Sequence, residues 1–287
     1  MKIHRSIFTL WLLILAAAPI ANGIAAETNV LHNVAYGADK AQTMDIYIPP
    51  DAQNSPVIFM VHGGGWRFGD KDNNRVVKNK VARWLPRGFI FITIDYRMLP
   101  QLNGLQQADD VASALAFAQA HAASWGGDPS QFILMGHSAG AHLVALLSAA
   151  PDKAYTLGAK PWLGTVALDS AAYNIPDMMT RKHLALYDNA FGSDRNTWEQ
   201  ASPFYVVNRN ATPLFAVCST QRRDRPCDQV HAFANKAKTL GLDVKILEED
   251  LSHGDVNAQL GLPGAYTDAV ETFMAALSPQ TRKLFMQ

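Results

Sequence analysis

A serine stands between two glycines in the run Gly136-His137-Ser138-Ala139-Gly140, after a short apolar segment and before an Ala/Leu-rich stretch with helical spacing. In such a strand–turn–helix context, Gly-x-Ser-x-Gly is typical of the tight turn that presents a serine nucleophile. The hydroxyl must project above the sheet, and backbone strain of this kind is common at functional sites. The pattern therefore predicts Ser138 as a nucleophile; the alternative is a chance Gly/Ser turn without chemistry.

A glycine triplet, Gly63-Gly64-Gly65, lies between His62 and Trp66 and follows the continuous apolar run 57–61. Glycines free the backbone to turn its N–H groups toward a ligand that approaches closely. In acyl transfer, such groups stabilise the oxyanion of the tetrahedral intermediate. A phosphate-binding loop would end in Gly-Lys-Ser/Thr, whereas this one continues Trp-Arg-Phe-Gly-Asp. The HGGG sequence is therefore typical of the oxyanion loop of a lipase or esterase.

A serine nucleophile needs an adjacent base that is oriented by a third group. Among the nine histidines, His253 lies straight after the last predicted strand. This places it at the carboxyl edge of the sheet, where active sites of such sheets gather. His62 and His137 lie inside the two glycine motifs, where an imidazole more often braces a loop. The sequence therefore predicts His253 as the base.

The orienting acid is expected between the serine and the histidine in chain order. Asp224 and Asp228 both follow the predicted strand that ends at Val217. Asp228 suits the N-cap of the helix that comes next, which leaves Asp224 as the predicted acid. Asp169, just after the preceding strand, is the remaining alternative.

The N-terminus has the pattern of a secretory signal peptide over residues 1–26. Lys2 and Arg5 precede the apolar run 7–18, and small residues follow up to Ala25 and Ala26. A positive segment, an apolar segment and a small-residue cleavage site define such signals. The alternative is a membrane anchor, but a bilayer span needs about 20 apolar residues. We therefore expect export, to the periplasm or outside the cell.

The only two cysteines of the chain are Cys218 and Cys227. An exported protein meets an oxidising compartment, which favours a disulfide. This bridge would clamp the loop that carries Asp224. The alternative is two separate buried thiols.

Strand-like and helix-like segments alternate along the rest of the chain, which favours a parallel sheet covered by helices on both faces. The predicted strands are 30–36, 44–48, 57–61, 89–94, 132–135, 164–168, 214–217 and 244–247. The fold class is thus α/β, with a mostly parallel sheet of about eight strands. No segment resembles a linker, so residues 27–287 are expected to form a single domain, with residues 173–208 as a small helical cap.

Basic and acidic residues balance at 25 each. This balance gives no electrostatic reason to expect nucleic acid or an anionic surface as partner. A small-molecule substrate is the remaining expectation.

With these motifs in place, the chain resembles serine carboxylesterases of the α/β-hydrolase fold, in particular the hormone-sensitive-lipase-like and BD-FAE-like groups, over roughly residues 31–277. The resemblance rests on four runs, which are His62-Gly63-Gly64-Gly65-Trp66, Ile94-Asp95-Tyr96-Arg97, Gly136-His137-Ser138-Ala139-Gly140 and Ser252-His253. It implies Ser138 as nucleophile, His253 as general base and Asp224 as orienting carboxylate. It also implies oxyanion donors at the backbone N–H groups of Gly64, Gly65 and Ala139, and no metal or organic cofactor. The family's acid usually sits in a Gly-x-x-Asp loop, and residues 218–224 depart from that spacing.

The expected function is that of an exported serine carboxylesterase acting on small carboxylic esters, with Trp66 and His137 against the substrate. The same motif set also resembles kynurenine formamidase, which makes arylformamidase activity the alternative. A hydrolase-fold binding protein without catalysis is a more remote one. The basic pairs Arg181-Lys182 and Arg222-Arg223 would suit an acidic substrate, although a solvated surface explains them better.

Overall fold

The computed structural model describes residues 29–286, so the predicted signal peptide lies outside the described residues. The strands are β1 (Asn29–Ala35), β2 (Thr43–Ile48), β3 (Ser55–Val61), β4 (Ile90–Ile94), β5 (Gly127–His137), β6 (Gly164–Leu168), β7 (Leu214–Ser219) and β8 (Val244–Glu249). The helices are α1 (Asn74–Trp84), α2 (Gly104–His121), α3 (Ala139–Ala149), α4 (Asp152–Thr156), α5 (Ile175–Met179), α6 (Ala185–Phe191), α7 (Arg195–Gln200), α8 (Pro203–Val206), α9 (Pro226–Thr239), α10 (His253–Ala258), α11 (Ala265–Ala276) and α12 (Pro279–Phe285).

All eight strands join one sheet in the order β1-β2-β4-β3-β5-β6-β7-β8. The β1–β2 and β2–β4 pairs are antiparallel, and the other five are parallel. The predicted α/β class with a mostly parallel sheet is therefore confirmed. Because consecutive parallel strands end at the same edge, the segments after β3, β5, β6, β7 and β8 emerge together there.

Helices cover both faces because the central strands are apolar on both sides. In β3, Phe59 packs into the apolar layer that holds Leu115 of α2 and Leu143 of α3. Its neighbours Ile58 and Met60 point the opposite way, into the layer that holds Trp84 of α1 and Val270 of α11. This alternation follows the period of two along a strand. No helix within residues 29–286 combines the length and hydropathy that crossing a membrane requires.

The start of α9 differs from the prediction. Asp228 was expected to cap this helix, but α9 begins two residues earlier, at Pro226, and Arg225 occupies the N-cap without a side-chain bond. Proline suits a first helical position because its φ is already fixed. Asp228 instead lies in the first turn and pairs with Arg225 at 2.5 Å. The N-cap prediction for Asp228 is therefore wrong.

A disulfide joins Cys218 near the end of β7 to Cys227 in the first turn of α9, with the two Cα atoms 5.2 Å apart. The bridge therefore holds both ends of the loop between them.

Replacing both Cys218 and Cys227 by serine should lower the free energy of unfolding by about 2–3 kcal/mol. The bridge spans nine residues in sequence, and it reduces the conformational entropy of the unfolded chain by an amount that depends on this loop length. Urea denaturation under oxidising conditions measures the change, and reduced wild-type protein is the control. A double variant as stable as the oxidised wild type would contradict the expectation.

Candidate active site

Ser138 lies at the junction of β5 and α3 with φ 57° and ψ −117°, a left-handed conformation that L residues rarely adopt. Its N–H donates to the carbonyl of Leu168 at 2.8 Å, which ties this turn to the end of β6. A Cβ on Gly136 would lie 2.4 Å from the carbonyl oxygen of Gly140, and one on Gly140 would lie 2.3 Å from that of Val61. The two glycines are therefore required by the close approach of strand and helix.

His253 is the first residue of α10, with Ser252 as N-cap, rather than part of an open loop. Its Nε2 lies 2.9 Å from the Oγ of Ser138. The other ring nitrogen, Nδ1, lies 2.5 Å from Oδ2 of Asp169. The imidazole thus joins a hydroxyl on one side to a carboxylate on the other. This is the arrangement in which a histidine can accept a proton from serine.

The carboxylate at His253 is Asp169, so the structure corrects the prediction of Asp224 at this place. Asp169 directly follows β6, the strand next to β5, and its side chain is fully buried. Its Oδ1 accepts the N–H of Ser219 at 2.9 Å. The second oxygen is thereby left for His253.

Asp224 instead binds Arg222. Nε and Nη2 of that arginine donate to the two carboxylate oxygens at 2.9 and 2.5 Å. The hydroxyl of Tyr187 donates to the same carboxylate at 3.2 Å. Among the described residues, Asp224 therefore satisfies its oxygens without His253. The physical reason is that Arg222 lies between the two acids.

Arg222 connects the two carboxylates. Its Nη1 donates to the carbonyl of Asp169 at 2.7 Å and lies 3.1 Å from Oδ2 of the same residue. The same Nη1 is 3.2 Å from Nδ1 of His253. One guanidinium thus contacts both acids and the histidine. In the sequence, Arg222 has the pattern of a solvated surface residue, and no spacing rule marks it as part of a site.

The surroundings of Asp169 keep it ionised. Burial favours the neutral acid, but the hydrogen bond with His253, the charge of Arg222 and the N–H of Ser219 outweigh it and hold the pKa of Asp169 below its usual value. A carboxylate that stays charged can stabilise an imidazolium at His253.

The glycine loop after β3 faces the same cavity. Gly64, Gly65 and Ala139 all line this space of about 520 Å³ together with Ser138 and His253. Within residues 29–286, the N–H groups of Gly64 and Gly65 donate to no other protein group. Ala139 is the first residue of α3, so its N–H lacks an acceptor within the helix. Three backbone donors therefore remain available beside the hydroxyl.

A second motif supports this loop from behind. The hydroxyl of Tyr96 donates to the carbonyl of His62 at 3.0 Å, and the two rings stack with centroids 4.7 Å apart. Gly64 has φ 127°, and a Cβ there would lie 1.9 Å from the carbonyl oxygen of Phe68. A glycine is required at this position, and the aromatic stack holds the start of the loop.

Trp66 and His137, expected against the substrate, both line the cavity but are only 3% and 8% exposed. The indole N–H of Trp66 donates to Nδ1 of His142 at 3.2 Å. Nε2 of His137 donates to the carbonyl of His253 at 2.9 Å. Burial lowers the pKa of His137 to about 3, which keeps this ring neutral. The indole N–H of Trp66 and Nε2 of His137 are thus used within the protein.

Lys80 of α1 is a fully buried lysine that the sequence analysis did not single out. Its ammonium donates to the carbonyl and the side-chain oxygen of Asn257 at 2.7 and 2.8 Å, and to the carbonyl of Arg75 at 3.2 Å. Asn257 belongs to α10, the helix that begins at His253. Lys80 therefore anchors the helix that carries the imidazole.

Substituting Lys80 by methionine should change how stability depends on pH. Burial lowers the pKa of Lys80 to about 7 from its ordinary value of 10.5. Above pH 7 the folded protein loses this proton while the unfolded chain keeps it, so this residue makes wild-type stability rise with pH by at most about 1.4 kcal/mol per unit. Below pH 7 both the folded and the unfolded chain keep this proton, so Lys80 adds no pH dependence to the free energy of unfolding. Urea titrations of both proteins from pH 6 to 9 measure the free energy of unfolding at each pH. The same pH dependence in wild type and Lys80→Met would contradict the prediction.

A family model described as BD-FAE matches residues 44–237. Among curated proteins, the chain is 30% identical over 270 residues to a probable isoprenylcysteine alpha-carbonyl methylesterase of Oryza sativa subsp. japonica, covering 86% of this chain and 64% of the relative. It is 25% identical to esterase LipC of Mycobacterium tuberculosis, covering 72% of this chain and 55% of that protein. The chain thus spans less than two thirds of the length of these relatives.

Two solved structures share the fold. A truncated carbohydrate esterase from gut microbiota superposes with a TM-score of 0.73 at 17% identity, covering 88% of this chain and 96% of the other. Esterase B from Lactobacillus rhamnosis gives a TM-score of 0.71 at 17% identity, covering 90% and 87%. At this identity the likeness concerns the fold alone. The fold is that of the α/β-hydrolases, as the resemblance implied.

Proposed function

The chain belongs to the BD-FAE family, and from this premise we propose that it is a serine carboxylesterase that hydrolyses small carboxylic esters. One observation carries the proposal. It is a chain of two hydrogen bonds: the hydroxyl of Ser138 lies 2.9 Å from Nε2 of His253, and Nδ1 of His253 lies 2.5 Å from Oδ2 of Asp169. This triad opens into the cavity that the glycine loop also lines.

The reaction proceeds in two acyl-transfer steps. Ser138 attacks the ester carbonyl while His253 takes its proton, and the resulting imidazolium is stabilised by the ionised Asp169. His253 then gives the proton to the departing alcohol. Water, activated by the same imidazole, attacks the acyl-enzyme and releases the acid. Both steps use the same base, which alternates between accepting and donating one proton.

The oxyanion of each tetrahedral intermediate is assigned to the N–H groups of Gly64, Gly65 and Ala139. Each such donor contributes roughly 3–4 kcal/mol to transition-state stabilisation when it is fixed in advance. The close approach of Phe68 to the backbone of Gly64 and the stacked His62–Tyr96 pair support a fixed geometry of this loop.

Trp66 and His137 act as positioning residues in this proposal. Trp66 packs against Tyr187 with ring centroids 5.7 Å apart, which joins the glycine loop to α6. His137 holds the backbone of His253 through the carbonyl bond described above. Residues 173–208 form a small cap over the site, of which Leu184 and Tyr187 line the cavity.

Export to the periplasm or outside the cell is part of the proposal. The Cys218–Cys227 disulfide supports it, because structural disulfides persist in oxidising compartments. The N-terminal pattern of residues 1–26 is the second support.

A fluorophosphonate probe tests the proposal, because it labels only an activated serine. We expect stoichiometric labelling of Ser138, located by peptide mass spectrometry, and hydrolysis of 4-nitrophenyl acetate that falls in parallel with labelling. A panel of ester chain lengths, acetylated sugars and N-formylkynurenine then compares ester with formamide hydrolysis. An unlabelled, inactive protein would favour the non-catalytic alternative, and a preference for N-formylkynurenine would favour arylformamidase.

A further inference from the structure

An exposed arginine, Arg75, lines the catalytic cavity, and its side chain has no partner among the described residues. Arg75, the second residue of α1, lines the same space as Ser138, and its Nη1 lies only 2.8 Å from where a Cβ of Gly254 would stand. Its guanidinium therefore covers the backbone directly after His253. Within residues 29–286, hydrogen bonds of Arg75 to other residues involve its backbone, and its side chain forms neither a hydrogen bond nor an ion pair.

The other arginine of this cavity and the two acids beside it already have partners. Asp169, Arg222 and Asp224 pair with one another and with His253. Asp70 is exposed, accepts the N–H of Asp72 at 3.0 Å and forms no ion pair within residues 29–286. In the part of the chain that the structure describes, Arg75 is thus the one arginine or lysine lining the cavity whose side chain forms no hydrogen bond or ion pair. An anionic ligand group would compensate it.

The position of Arg75 indicates which half of an ester it faces. His253 must deliver its proton to the leaving alcohol, so the alcohol half lies against the imidazole. The carbonyl oxygen must point the other way, toward Gly64, Gly65 and Ala139. Since Arg75 lies over Gly254, beside the imidazole, it faces the alcohol half.

We propose that Arg75 is a specificity-determining residue that binds a carboxylate carried by the alcohol half of the substrate. The inference rests on the proposed function and names its substrate class as esters of hydroxycarboxylic acids. Hydrolysis then releases a neutral or anionic acyl acid and a hydroxycarboxylate. A guanidinium suits this role because its planar fork matches the two oxygens of a carboxylate.

Two substrates of equal shape test the inference. They are 3-acetoxybenzoate, which is anionic at neutral pH, and 3-acetoxybenzamide, which is neutral. The ratio of their kcat/KM values cancels general effects on catalysis. Arg75→Gln should lower the anionic-to-neutral ratio about five-fold, the scale of one solvent-exposed charge pair, and Arg75→Glu should lower it further. Added NaCl should lower the wild-type ratio and leave that of Arg75→Gln nearly constant.

Lys78→Gln is the matched control, because Lys78 is an exposed cation of the same helix that does not line the cavity. Its ratio should equal that of the wild type. Equal ratios in wild type and Arg75→Gln would overturn the inference, as would an Arg75 effect confined to esters with a carboxylate on the acyl half, such as mono-4-nitrophenyl glutarate. Hydrolysis of 3-acetoxybenzamide reports separately on the proposed function. If that substrate stays intact and Ser138 stays unlabelled, the esterase assignment itself fails.

Discussion

Replacing Ser138 by alanine should lower kcat for 4-nitrophenyl acetate by about 10⁴- to 10⁶-fold, the range seen when a serine nucleophile is removed from a triad. Alanine removes only the Oγ that lies 2.9 Å from His253. The oxyanion donors and the cavity remain in this variant, so slow hydrolysis by direct attack of water on the ester should persist. Stopped assays at high enzyme concentration measure this residual rate.

The control is that the variant folds. Since alanine tolerates φ 57° no better than serine does, circular dichroism and the urea midpoint should match the wild type within error. Loss of fluorophosphonate labelling should accompany the loss of turnover. Wild-type turnover in Ser138→Ala would refute the nucleophile assignment.

The second large effect is expected at Asp169 and not at Asp224. Asp169→Asn should lower kcat by about 10³- to 10⁴-fold, because an amide cannot stabilise the imidazolium and favours the wrong tautomer of His253. Asp224→Asn should cost less than about tenfold, because this carboxylate reaches the site only through Arg222. The two substitutions are chemically identical and therefore form a matched pair.

The comparison also decides between the two candidate acids. If Asp224→Asn were the more damaging substitution, Asp224 would be the orienting acid and the arrangement around Arg222 would differ during catalysis. Equal and large losses would indicate that both acids act as one unit through that arginine. Urea midpoints of both variants separate loss of activity from loss of folding.

Much of the architecture follows from the sequence because its signals are local. Continuous apolar runs such as 57–61 and 89–92 favour strands covered on both faces, and the helices between such strands favour parallel order. The spacing of glycines around Ser138 and at Gly64 reports close backbone contacts that the structure contains. For the same reason, Ser138 and His253 could be expected at one edge of the sheet, although 115 residues separate them.

The acid could not be identified in this way because three aspartates follow two adjacent strands. Which of them meets His253 depends on side-chain direction and on the position of Arg222, and neither has a sequence period. Asp169 was marked only by its place directly after a buried strand. Asp228 does not cap α9, because that helix begins two residues earlier, at Pro226. Lys80 and Arg75 went unnoticed because a helix pattern does not reveal what lies opposite each residue.

The hydrogen bond from Ser138 to Leu168 has a consequence for how this site withstands heat. It places Ser138 and Asp169 at the ends of two neighbouring strands, β5 and β6. The separation of their backbones is therefore set by the spacing between strands, roughly 4.8 Å. His253 lies outside the sheet, on α10. Lys80 and Asn79 of α1 donate hydrogen bonds to backbone carbonyls of this helix. We therefore expect loss of activity on heating to follow the loosening of α10 from α1 and from His137, and additional contacts there should raise the temperature at which activity is lost.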